Sequence, residues 1–196
     1  MRYRADITAG ALKLPESRVI AGLLIRGLTS QGWREAIYER NVLQTRSPAS
    51  AKRLTRLIRG RLDLMDADLW RLVAEGEATV ATHALLAAAI KQSALLGDFL
   101  DLVLREQYKV FSDRLTNSLW DQYLDDCRGR DPLMPEWHES TRRRLRSSVF
   151  QILAQAGFVQ DTRSLKLQMV FIAAEVIEYL KRHDEQNVLR CIQVSP

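Results

Sequence analysis

The chain is poor in the residues that mark several protein classes. It has two cysteines, Cys127 and Cys191, and neither has a short-spaced partner. That argues against a disulfide framework and a cysteine metal site, and it fits reduced thiols in a cytoplasmic protein. Only 9 glycines and 5 prolines occur in 196 residues, which favours long helices over many short strands. The longest nearly uninterrupted apolar run, 84–90, is stopped by His83 and Lys91. A membrane span needs about 20 apolar residues, so this run reads as a core helix and no membrane contact is expected. Residues 1–11 carry Arg2, Arg4 and Asp6 with no apolar stretch, so no secretory leader is expected.

Catalytic and cofactor motifs are also missing. There is no phosphate-binding G-x-x-x-x-G-K-[ST] loop, no G-x-S-x-G elbow, and no H-E-x-x-H or C-x-x-C pair. His83, His138 and His183 lie far apart and read as core or surface histidines. Asp121 and Asp125 share a helical face from which Asp126 turns aside, and Asp98 and Asp101 lie one turn apart. Both groups read as solvated acidic faces rather than cation sites. The expectation is a non-enzymatic protein with no catalytic residues, no metal and no cofactor.

What is present is apolar residue and unevenly placed charge. Apolar residues make up 46%, enough for a buried core. The net charge is +5, but residues 1–61 carry +9, residues 62–141 carry −8 and residues 142–196 carry +4. Such a basic–acidic–basic chain can attract a polyanion at two surfaces while its middle stays acidic.

The spacing of apolar residues predicts a mainly α, multi-helical fold. An arm or short strand over 1–14 (Tyr3, Ala5, Ile7) precedes a helix opened by Pro15. A second helix, capped by Ser30, is expected over 32–40, and Ser47-Pro48 should open a third. Asp66 or Asp68 caps a fourth that ends at Gly76. Helices follow over 78–91, 95–111, from Thr116 to Gly129, and 141–156, the last capped by Ser140 and ended by Gly157. Residues 158–171 alternate after a polar turn and read as a small β-hairpin, and a final helix covers 173–183. The division expected is residues 1–76, a helix-turn-helix-like module, and residues 77–196, a helical module with a winged-helix-like end.

Two helices are rich in arginine. In the third, Ala51, Leu54, Leu57, Ile58, Leu62 and Met65 form an apolar face. Lys52, Arg56 and Arg59 fall opposite it, Arg53 lies on the flank, and Arg61 projects toward the apolar side. In the helix after Ser140, Arg143 points away from the stripe of Leu145, Val149, Ile152 and Leu153. Arg144 and Arg146 flank it and Arg142 lies in the first turn. Arg163 and Lys166 sit on the expected hairpin. Arginine binds phosphate bidentately, and a row of arginines displaces condensed counterions. These ten cations are the candidate nucleic-acid-binding residues. The acidic segment between the rows leads us to expect two separate patches. Basic rows alone do not choose DNA over RNA, and an acidic protein partner would also suit them.

Several stretches carry a family likeness: YRADITAGALKLPES (3–17), QTRSPASAKRLTRL (44–57), residues 81–102 with the ending LLGDFLDL, residues 106–111, and STRRRLRSSVFQILAQAGF (140–158). Together they resemble the BrxA family of bacterial BREX phage-exclusion systems, over most of the chain and thinning after about residue 172. The resemblance implies a helical accessory protein that binds double-stranded DNA. Its implied partners are the other BREX proteins: an adenine methyltransferase, a large ATPase and a phosphatase-like component. It also implies a likeness in shape to an RNA-binding antitermination factor, which leaves RNA as the alternative ligand. The family brings no catalytic motif to carry over.

Overall fold

The computed structural model describes residues 2–7 and 11–195. Helix starts follow side-chain caps. α1 (Leu14–Ile25) has Pro15 in its first turn and buries Ile20, Ala21 and Leu23. α2 (Ser30–Arg34) is capped by Thr29, not by Ser30 as expected: the Thr29 hydroxyl accepts the Gly32 N–H at 3.2 Å. It then widens into a π-helical turn, Glu35–Glu39, and the chain leaves through Asn41 at φ 44°. α3 (Pro48–Leu62) starts as expected, with the Ser47 hydroxyl accepting the Ser50 N–H at 3.2 Å. α4 (Ala67–Glu75) is capped by Asp66, which accepts from the N–H groups of Asp68 and Leu69.

α5 (Ala78–Gln92) is the central helix. His83 to Ile90 are all buried, and α1, α3, α4, α6, α10 and α11 pack around it. Beyond a bend of 109° come α6 (Ala94–Asp98), a π-helical stretch (Phe99–Leu104) and α7 (Arg105–Lys109), where one regular helix was expected. α8 (Asn117–Arg130) opens at Thr116 as expected. α9 (Glu139–Gln155) begins earlier than expected, because His138 Nδ1 rather than Ser140 takes the cap, accepting the Ser140 N–H at 3.3 Å. Gly157, at φ 86°, terminates it. The expected last helix becomes two, α10 (Ala174–Arg182) and α11 (Gln186–Ile192), split at Asp184 with φ 53°.

The expected β-hairpin is corrected. Among the described residues there is no strand, only two isolated antiparallel bridges, Arg114 with Lys166 and Val159 with Leu167. Adjacent residues thus pair with different neighbours. Leu165, at φ 51°, cannot continue an extended strand. Asp161 accepts from the N–H groups of Arg163 and Ser164 and tightens the loop further. The expected arms meet only at one bridge, where the Gln160 N–H donates to the Lys166 carbonyl at 2.8 Å and the Gln168 N–H to that of Phe158 at 3.0 Å.

One cluster of buried side chains runs from Tyr3 through Val194 and draws on every part of the fold. The division expected at residue 76 falls in the turn between α4 and α5, which pack on each other. Phe99 meets Trp120 and Tyr123 with ring centroids 5.3 and 5.2 Å apart, tying α8 to the π-helical stretch. Residues 8–10 of the expected arm lie outside the described residues. Tyr3 and Ile7 are core residues, not surface ones. The Tyr3 hydroxyl donates to Asp98 at 2.7 Å and Arg2 pairs with the same carboxylate at 2.8 Å. Asp98 is 5% exposed, so its reading as a solvated residue is also corrected. Asp101 pairs with Arg105 and Arg190, both at 3.0 Å. Among the described residues no single helix is long and apolar enough to cross a membrane.

Candidate nucleic-acid interface

The two arginine-rich helices line one cleft. Its volume is about 600 Å³. Arg53, Leu54 and Leu57 of α3 form one wall, and Arg143, Arg144, Ser147 and Gln151 of α9 form the other, with Lys13 at the edge. Among the described residues none of its lining is a carboxylate. This differs from the two separate patches expected. The acidic segment supplies none of the described lining residues, although its last carboxylate, Glu139, reaches Arg143.

A short piece of chain joins the walls. Arg61 lies at the inner side of α3, as its position predicted, and is 1% exposed. It donates to the Ala11 carbonyl at 3.0 Å and to Gln92 Oε1 at 3.2 Å. From α9, Gln155 Oε1 accepts the Leu12 N–H at 2.7 Å. Residues 11 and 12 therefore bridge α3 and α9, and Lys13 follows directly, held at φ 56°. Burial draws the Arg61 guanidinium down to about 10, with the nearby Asp6 carboxylate working the other way.

The ten candidate residues divide by environment. Lys52, Arg53, Arg56, Arg144, Arg163 and Lys166 are exposed and, among the described residues, make no ion pair. Lys52, Arg56, Arg163 and Lys166 are not among the lining residues of the cleft. Arg59 lies over the Trp33 ring at 4.7 Å and pairs with Asp63 at 3.2 Å. Arg143 pairs loosely with Glu139 at 3.5 Å. Arg142 and Arg146 are turned to α8. Arg142 meets Asp125 at 3.2 Å and Asp121 at 3.9 Å, and Arg146 meets Asp121 at 3.4 Å. The acidic face of α8 is thus partly spent on α9.

Lys13, Ser50 and Ser147 line the cleft and were not singled out from sequence. No periodicity marks Lys13, which precedes its helix. A second cluster also escaped notice. His183 Nδ1 lies 2.9 Å from Asp66, and its Nε2 lies 3.6 Å from Asp68. One ligand atom from each of the three falls within 4.8 Å of the others. Arg71, at 2.8 Å, and Arg182, at 3.8 Å, also meet Asp68, so the group forms an ion-pair network between α4 and α10. His83 is buried, accepts the Ala173 N–H at 3.1 Å through Nδ1, and is held below its usual pKa by burial.

These features define a class first: a mainly helical protein with one continuous core and a basic groove between two of its helices. Within that class, the chain belongs to the BrxA family, whose model matches residues 1–184. It is 53% identical over 194 residues to a protein named BREX protein BrxA from Paramagnetospirillum magneticum, covering 99% of this chain and 98% of that one. A protein of the same name from Escherichia coli O9:H4 (strain HS) is 31% identical over 188 residues, covering 96% and 88%. A crystal structure of an uncharacterized protein from Magnetospirillum magneticum superposes with a TM-score of 0.92 at 51% identity, over 100% of both chains.

Proposed function

We propose that this protein is a non-enzymatic accessory subunit of a BREX phage-exclusion system that binds double-stranded DNA through the cleft between α3 and α9. The observation that carries this reading is the convergence of Arg53, Arg143, Arg144 and Lys13 on one groove that, among the described residues, has no lining carboxylate. Family membership supports the BREX setting, with the other BREX proteins as partners. Phosphate contacts from such a groove fix position without reading sequence. α3 then serves as the DNA-facing helix of the first module, with Lys52 and Arg56 extending the contact along its ridge. The division at residue 76 becomes functional: each part supplies one wall. Arg163 and Lys166 add outlying contacts, while Arg142 and Arg146 chiefly hold α9 to α8.

The test is fluorescence anisotropy with a labelled duplex, titrated at several salt concentrations and in competition with a structured RNA. If Z phosphates are engaged, log K falls with a slope of about −0.9Z against log salt. Binding that ignores salt would overturn the mechanism, and preferential displacement by the RNA would reassign the ligand.

A further inference from the structure

A second recess lies on the other flank of α3 from the basic cleft. Trp33, Ile37 and Tyr38 come from α2 and its π-helical turn, and Pro48, Thr55 and Arg59 from α3. They enclose about 530 Å³. The walls are almost wholly apolar side chain. Tyr38 stays 45% exposed, and Arg34 and Arg59 stand at the mouth. Arg34 is exposed and, among the described residues, has no ion pair. Arg59 is held across the Trp33 face. The Thr55 hydroxyl is shut off from water and makes no hydrogen bond.

We propose that this recess is a docking site for an acidic peptide segment of a protein partner, anchored by one bulky apolar side chain. Aromatic and arginine side chains around a concave apolar pocket are the composition of an interface hot spot. Arg59 is already paired with Asp63, so Arg34 at the mouth sets the sign of the partner's flanking charge. A nucleobase is the competing occupant, since Ser30, Tyr38 and the two arginines also line the recess, and the duplex arm of the experiment below separates the two. The π-helical turn contributes both Ile37 and Tyr38 to the lining. The proposal is independent of the DNA reading, since the recess and the cleft occupy opposite flanks of α3.

The experiment uses the full ¹⁵N-labelled chain and the blocked peptide Ac-Asp-Glu-Phe-Leu-Glu-Asp-NH2, with a control in which Phe and Leu are replaced by Ser. The reporter is the Trp33 indole resonance, identified with Trp33→Phe. Saturable shifts at Trp33 and Tyr38 are expected with the first peptide and not with the control. Arg34→Glu, an exposed change, should weaken binding roughly tenfold. Arg53→Glu should leave peptide binding unchanged. Equal shifts with both peptides, no saturation, or perturbation of the Trp33 indole by a DNA duplex instead would overturn the proposal.

Discussion

The guanidinium of Arg142 in α9 lies 3.2 Å from the Asp125 carboxylate in α8. Arg144, two residues on, lines the cleft and, among the described residues, has no ion pair. Neighbours in one arginine run therefore carry different tasks. Substituting each to Gln and titrating a labelled duplex should separate them. Arg144→Gln and Arg53→Gln should each weaken binding and make the salt slope shallower by about 1. Arg142→Gln should leave the slope nearly unchanged. Equal losses from all three would contradict this division.

The converse change frees the clasped arginines. The double variant Asp121→Asn, Asp125→Asn releases Arg142 and Arg146 and removes two negative charges near α9. Duplex affinity should rise and the salt slope steepen. The stability cost should be small, because exposed ion pairs contribute at most about 1 kcal/mol each. Anisotropy and thermal melting on the same sample check both halves.

Arg61 is an arginine of the basic helix that never meets solvent. Arg61→Ala removes the donor to the Ala11 carbonyl and opens a cavity where the side chain packed. Urea denaturation should show a loss of about 3 kcal/mol. Arg56→Ala, on the exposed ridge, should stay within about 0.5 kcal/mol of the parent.

His83 gives the fold a pH dependence with a defined sign. Burial lowers its folded-state pKa, so the unfolded chain takes up the proton first. The stabilisation it contributes is complete above the unfolded value of about 6.5. It declines as pH falls below that value toward the lower folded one. Urea midpoints at pH 7.5 and 5.5 should differ more for the parent than for His83→Asn, which keeps an acceptor near the Ala173 N–H but cannot titrate. An equal difference in both proteins would remove His83 as the cause.

Much of the helical order is legible from local signals. Ser47-Pro48, Asp66 and Thr116 act as caps because their side chains need only the backbone of the next turn. Gly157 ends α9 because it alone adopts positive φ without strain. The departures arise from contacts that span the chain. Alternation over 165–171 resembled a strand, but pairing stops after single bridges at Lys166 and Leu167, because Leu165 turns to positive φ before them. The π-helical stretches leave no mark on an apolar pattern read at the usual helical period. The candidate site was half legible. The identity and outward faces of Arg53, Arg56 and Arg144 follow from helical geometry. That α3 and α9 would share a groove, and that Arg142 and Arg146 would face Asp121 and Asp125, depends on tertiary packing.

Residues 11 and 12 join the cleft walls, so the distance between the arginines of α3 and those of α9 is a fixed gauge, set by a hydrogen bond from Leu12 to Gln155 on one side and from Arg61 to Ala11 on the other. A ligand that spans the groove must match that gauge or bend to it, because the protein's share of the adjustment has already been made during folding. Selectivity can then come from how readily a given stretch of nucleic acid deforms. Changes at Gln155 or Arg61, which touch no ligand, would reset that selectivity.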